Sequence, residues 1–183
     1  MAAPGVSGAS ALWVSLLTAA STATTLALAC ATPFPALAAL AAVHMRRRDG
    51  MALMLLAWAM SQFVGVFLLG YPCDGSTLGW AAALGTAAVG SALAGTAAVH
   101  AAGYRSVAAR LSLAYAAGFT AFKGIVLAWA LVLGGLHRVM APDLLAEQFV
   151  RNGAILIGLY ALYRVLVAAG VPAPPQAATV ARC

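Results

Sequence analysis

The chain has 183 residues, of which 64% are hydrophobic and 8% charged, with a formal net charge of +6. A soluble domain carries roughly a quarter charged residues, so the composition excludes one and predicts an all-α integral membrane protein embedded in a lipid bilayer. The positive charge does not indicate a nucleic-acid partner: no basic stretch on a soluble segment is interleaved with aromatics, and Arg46, Arg47 and Arg48 abut a helix end.

In chain order, the first apolar run, roughly residues 9–45, is too long for one crossing and is broken at Thr32-Pro33-Phe34-Pro35. Proline lacks a backbone donor and pushes its predecessor out of helical geometry. The stretch from Phe34 to Met45 would reach about 18 Å, short of a hydrocarbon core of about 30 Å. It is expected to be short, tilted or buried by neighbours, and a proline break at that depth points to a cavity. Residues 1–45 contain no Lys or Arg, so a secretory signal peptide, which needs a basic start, is not expected.

Four further runs, near residues 51–71, 78–103, 108–136 and 148–170, are each long enough to cross the bilayer. Arg46–Arg48, Arg105 with Arg110, and Arg164 with Arg182 are each separated from the next group by two crossings. All then lie on one side, cytoplasmic by the positive-inside rule, leaving Asp74, Asp143 and Glu147 outside and Asp49 inside. The expected architecture is a single domain over residues 1–170 with six transmembrane helices, the second short, and both termini cytoplasmic. The proline-rich end, 171–183, is expected to be a disordered cytoplasmic tail.

Small residues recur at every fourth position in Ala19, Ala23, Ala27 and Ala31, and in Ala87, Ser91 and Gly95, allowing close helix approach either within the bundle or against a partner. Lys123, mid-way along the fifth helix, needs a partner such as Glu147 or Asp143, a snorkelling path, or a polar ligand. Gln62 and Asn152 are expected to hydrogen-bond other helices. Glu147 and Arg151, at i, i+4, form an outer cluster with Arg138. Trp58, Trp80 and Tyr71 suit packing or interfacial anchoring, and the last two could also stack on a planar ligand.

Chemistry concentrates in the polar turn Tyr71-Pro72-Cys73-Asp74-Gly75-Ser76-Thr77 between two apolar runs. A thiol beside a lone acid can ligate a soft metal, attack an electrophile or pair with another cysteine. Cys30 lies near the outer end of the first helix and could form that pair; Cys183 is a tail residue. No C-x-x-C or zinc spacing occurs. His44 and His100, both at cytoplasmic helix ends, offer a bis-histidine haem alternative, whereas His137 lies at the outer end.

The stretch Gln62-Phe63-Val64-Gly65-Val66-Phe67-Leu68-Leu69-Gly70-Tyr71-Pro72-Cys73, followed by Trp80, resembles the BtuM family of cobalamin-binding subunits of energy-coupling-factor (ECF) transporters. The resemblance implies an S-component-like bundle in the bacterial inner membrane, with Cys73 as ligand to the cobalt of a bound corrinoid at the outer mouth. Tyr71, Pro72, Asp74, Trp80 and Phe34 are the candidate walls. The Ala19, Ala23 and Ala27 stripe is similar to the motif by which such subunits dock on a transmembrane coupling subunit driven by partner ATPases. Cobalamin would be cargo, no other cofactor is implied, and the chain itself is not expected to be an enzyme beyond thiolate-assisted removal of the cobalamin upper ligand. A membrane thiol-redox or haem protein, or a non-catalytic assembly factor, remain the alternatives.

Overall fold

The computed structural model describes residues 5–27, 33–103 and 106–175. Those residues form helices and connecting turns, with no strand among them: α1 (Gly5–Ala27), α2 (Phe34–His44), α3 (Arg47–Phe63), α4 (Gly75–Ala102), α5 (Val107–Leu133), α6 (Leu136–Val139) and α7 (Pro142–Ala168). Four are long and apolar enough to cross a membrane: α3 with its extension to Leu68, α4, α5 and α7.

The short second segment is the centre of the molecule. Pro33 and Pro35 start α2 sharply, as proline does where its missing N–H costs nothing. The helix is apolar on every side, and a helix of that kind has to be covered all round. Every residue from Phe34 to Ala41 is buried, with α3, α4, α5 and α7 packed around it. With 11 residues, α2 spans only about 16 Å, against about 40 Å for the 27 residues of α5. Phe34, at its start, meets Phe122 half-way along α5, with ring centroids 6.0 Å apart. α2 therefore reaches from one end of the bundle only to about its mid-plane.

Small residues let α4 and α5 approach most closely. Ala87 and Ser91 are fully buried, and a Cβ at Gly95 would come within 3.3 Å of the Ala114 carbonyl oxygen and 3.7 Å of that of Ala38. The stripe Ala87, Ser91 and Gly95 is thus an internal packing surface. The stripe on α1 behaves differently: Ala19 and Ala23 are exposed, and the side chain of Ala27 lies outside the described residues.

Trp13 Nε1 donates to the Pro172 carbonyl at 2.7 Å and Ser10 Oγ donates to Asp49 Oδ2 at 2.8 Å. The first turns of α1 and α3 and the segment after α7 therefore share one end of the bundle. Residues 171–175 are irregular, and the rest of the expected tail lies outside the described residues, as do Cys30, Arg105 and Cys183.

The expected fifth helix ends earlier than its apolar run near residues 108–136. The run does not continue to residue 136, because Gly134 and Gly135 adopt φ of 87° and 88°, end α5 at Leu133 and turn the chain into the four-residue α6. The last helix also starts earlier than expected, at Pro142, so Asp143 and Glu147 sit on its first turns.

Candidate functional site

The Cys73 loop is built by local rules. α3 widens into a π-helical turn over Val64–Leu68, a form that concentrates at functional sites. Leu69 N–H donates to the Val64 carbonyl and Tyr71 N–H to that of Gly65, each at 3.0 Å. Between them Gly70 takes φ of 68°, which an L side chain would resist. The Tyr71 ring then folds over Gly65 so closely that a Cβ there would lie 2.9 Å from Tyr71 Cδ2. Gly65→Ala must displace that ring, at a cost of about 1–3 kcal/mol for overpacking. The expected result is faster maleimide alkylation of Cys73 with unchanged helix content; an unchanged rate would show that the ring does not hold the loop.

Asp74 is the N-cap of α4, accepting from Thr77 N–H at 2.8 Å. That hydrogen bond holds its carboxyl below the usual carboxylate range. Its capping contribution is accordingly complete above the unfolded-state pKa and fades as pH falls through the lower folded value. Cys73 itself is free and exposed. On the chain either side of it Phe67, Leu68, Leu69, Tyr71 and Leu78 are exposed apolar side chains.

Trp80 is half-buried against the core, and Gly135 lies against its ring. Trp58 packs over Gly85 and donates to the Ala81 carbonyl at 2.9 Å, which makes it a structural residue. Phe34 is wholly covered by neighbours and offers no surface to a ligand at the mouth.

A cavity of about 290 Å³ lies beside the first turn of α2. Pro35 lines it at the start of α2, with Leu84, Phe122 and Val126 from α4 and α5. Lys123, Arg138, Gln148, Arg151 and Asn152 supply its polar lining; Cys73, Tyr71 and Trp80 do not reach it. Lys123 donates not to Glu147 or Asp143, as expected, but to the neutral Oε1 of Gln148, and its Nζ stands 5.9 Å from the Phe119 ring centroid. Gln148 escaped sequence reasoning because a lone glutamine on an apolar helix carries no pattern; only the need of Lys123 for a partner hinted at it.

Gln62 and Asn152 do not bridge helices as expected: Gln62 donates to its neighbour Ser61 Oγ at 3.1 Å, and Asn152 to the Gln148 carbonyl one turn back at 3.0 Å. Glu147 and Arg151 do pair, at 3.4 Å, with the glutamate largely in solvent.

His44 is buried against Tyr163 and Tyr160, with ring centroids at 4.4 and 5.8 Å, while His100 is exposed. The tyrosines cover the imidazole faces of His44, so the geometry does not favour a haem between these histidines. Among the described residues, no three of His, Cys, Asp and Glu gather as a metal site.

With no strand among the described residues and four helices long and apolar enough to cross a bilayer, the structure is consistent with a multi-pass membrane protein. Comparison with protein-family models, with curated proteins and with solved structures gives no match.

Proposed function

We propose that the protein is a substrate-binding subunit for cobalamin uptake in the bacterial cytoplasmic membrane, taking the corrinoid at the outer face with Cys73 as cobalt ligand. The observation that carries this reading is the free, exposed thiol on a loop fixed by Gly70, by the Tyr71 and Gly65 contact and by the Asp74 cap. Thiolate is a strong donor to a soft or borderline metal. The apolar surface of Phe67, Leu68, Leu69, Tyr71 and Leu78 suits the face of a large macrocycle. Since the cavity inside the bundle is only about 290 Å³ and Cys73 does not line it, the ring would lie across this surface rather than inside the bundle.

In this reading the chain crosses six times, with α1, α3, α4, α5 and α7 as full spans, the short α2 as part of the second crossing, and the arginine-rich ends cytoplasmic. Ala19 and Ala23, exposed on α1, would meet the transmembrane coupling subunit of an ECF complex. The chain contains no Walker A sequence, so ATP hydrolysis would fall to the partner ATPases.

Calorimetric titration of purified protein with cobalamin, followed in parallel by visible absorption, tests the proposal. Wild-type protein is expected to bind with a shift of the corrinoid bands, and Cys73→Ser to bind at least about tenfold more weakly, about 1.4 kcal/mol, without the shift. Equal affinity and spectra for the two proteins would remove cobalt ligation by Cys73.

A further inference from the structure

We propose that the cavity between α4, α5, α6 and α7 is a second binding site, for a small oxyanion, carboxylate or phosphate, that also carries a hydroxyl group. It is separate from the Cys73 surface and stands whether or not that thiol binds cobalt.

The lining carries charge of one sign only. Lys123, Arg138 and Arg151 contribute three cationic side chains, and neither Asp nor Glu lines the space. Arg151 reaches Glu147, which does not line the cavity, and its Nε is buried without a hydrogen-bond partner. The ammonium of Lys123 is bonded to the amide of Gln148, which is polar but does not neutralise it. Among the described residues no carboxylate pairs with Lys123 or Arg138. An uncompensated cation half-way along a membrane helix is expensive, so such residues face water or a counter-charge.

Asn152 is a second, independent sign. Its side chain lines the same cavity, is only 7% exposed, and leaves Oδ1 without a partner while its amide nitrogen is bonded to Gln148. Buried polar atoms are nearly always satisfied. An acceptor beside three cations is complemented by a ligand hydroxyl, with the oxyanion of the same ligand taken by the guanidinium forks and the ammonium.

The shape limits the ligand's size. About 290 Å³ is at the lower edge of the range for small-molecule sites, enough for a compact solute. Arg138 stands on the exposed α6, at the rim, and Lys123 lies deeper, so a ligand entering past α6 would exchange water for fixed charges in steps.

Thermal unfolding of the detergent-purified full chain tests this, with inorganic phosphate, malate and a short-chain phosphatidylglycerol added separately, against chloride at equal ionic strength. Phosphate or malate is expected to raise the unfolding temperature in a saturable way, and the rise is expected to disappear in Lys123→Gln and Arg138→Gln. The exposed position of Arg138 keeps that variant informative if Lys123→Gln does not fold. A response to the phospholipid alone would assign the cations to a lipid headgroup and overturn the soluble ligand. Absence of any saturable response, or equal responses in wild type and Arg138→Gln, would overturn the site. Cys73→Ser is expected to respond as wild type, so failure of the corrinoid reading and failure of this one are distinguishable.

Discussion

Gly118→Leu is expected to cost about 3 kcal/mol or more and to abolish recovery of a folded bundle, whereas Gly124→Leu on the same helix is expected to be tolerated. A Cβ at Gly118 would lie 2.9 Å from Ser91 Oγ and 3.3 Å from the Ser91 carbonyl oxygen. The second of these is backbone in the middle of α4, which cannot turn aside as the end of a side chain can. Lipid tails are as apolar as leucine, so membrane helices associate through close packing rather than through expulsion of water. Holding α4 and α5 apart by one side chain therefore removes the main attraction between them. At Gly124 a Cβ meets nothing within 4 Å. Size-exclusion profiles and unfolding temperatures of the two variants in one detergent decide the matter; similar behaviour would show that α4 and α5 do not pack through Ser91 and Gly118.

Leu37→Asp is expected to be comparably damaging, with Leu78→Asp as its tolerated counterpart. Leu37 is fully buried in α2, a helix surrounded by four others. An unpaired carboxylate there costs several kcal/mol even after protonation and relaxation, a large part of the roughly 5–15 kcal/mol that holds a domain together. Leu78 is 64% exposed and lies on the first turn of α4, where a negative charge is favoured by the helix dipole. Folded yield by fluorescence-detected chromatography should separate the pair. Wild-type yield for Leu37→Asp would mean that α2 is not the covered centre of the bundle.

The helical class and the positions of the long spans were legible in the sequence, because a hydrocarbon core admits only certain lengths of apolar chain. Proline marked the break before α2, and its short reach followed from counting residues. Asp ahead of an apolar helical run is a capping signal, but beside Cys73 the same acid also suited a ligand site, so the sequence left both roles of Asp74 open. Gly134 and Gly135 were visible as residues, yet their left-handed turn depended on where α5 had to stop.

The cavity was less accessible to sequence reasoning. Lys123 is 25 residues from Gln148, with the end of α5, α6 and the start of α7 between them, and only the way α5 and α7 pack brings them together. The same distance in sequence hid the choice between the two small-residue stripes. Ala87, Ser91 and Gly95 turned inward and Ala19 and Ala23 outward, though both have the same four-residue period.

By itself, then, the order of amino acids determined the helical class, the apolar lengths, the exposed polar turn around Cys73 and the shortness of α2, because those follow from local backbone chemistry and transfer into lipid. The tertiary structure alone decided that α2 is enclosed by four neighbours, that the space beside its first turn is left to Lys123, Arg138, Arg151 and Asn152, and that Cys73 stands apart from that space. Such features depend on which helix faces meet, and packing of uniformly apolar surfaces is fixed by shape, which no periodicity in the sequence records.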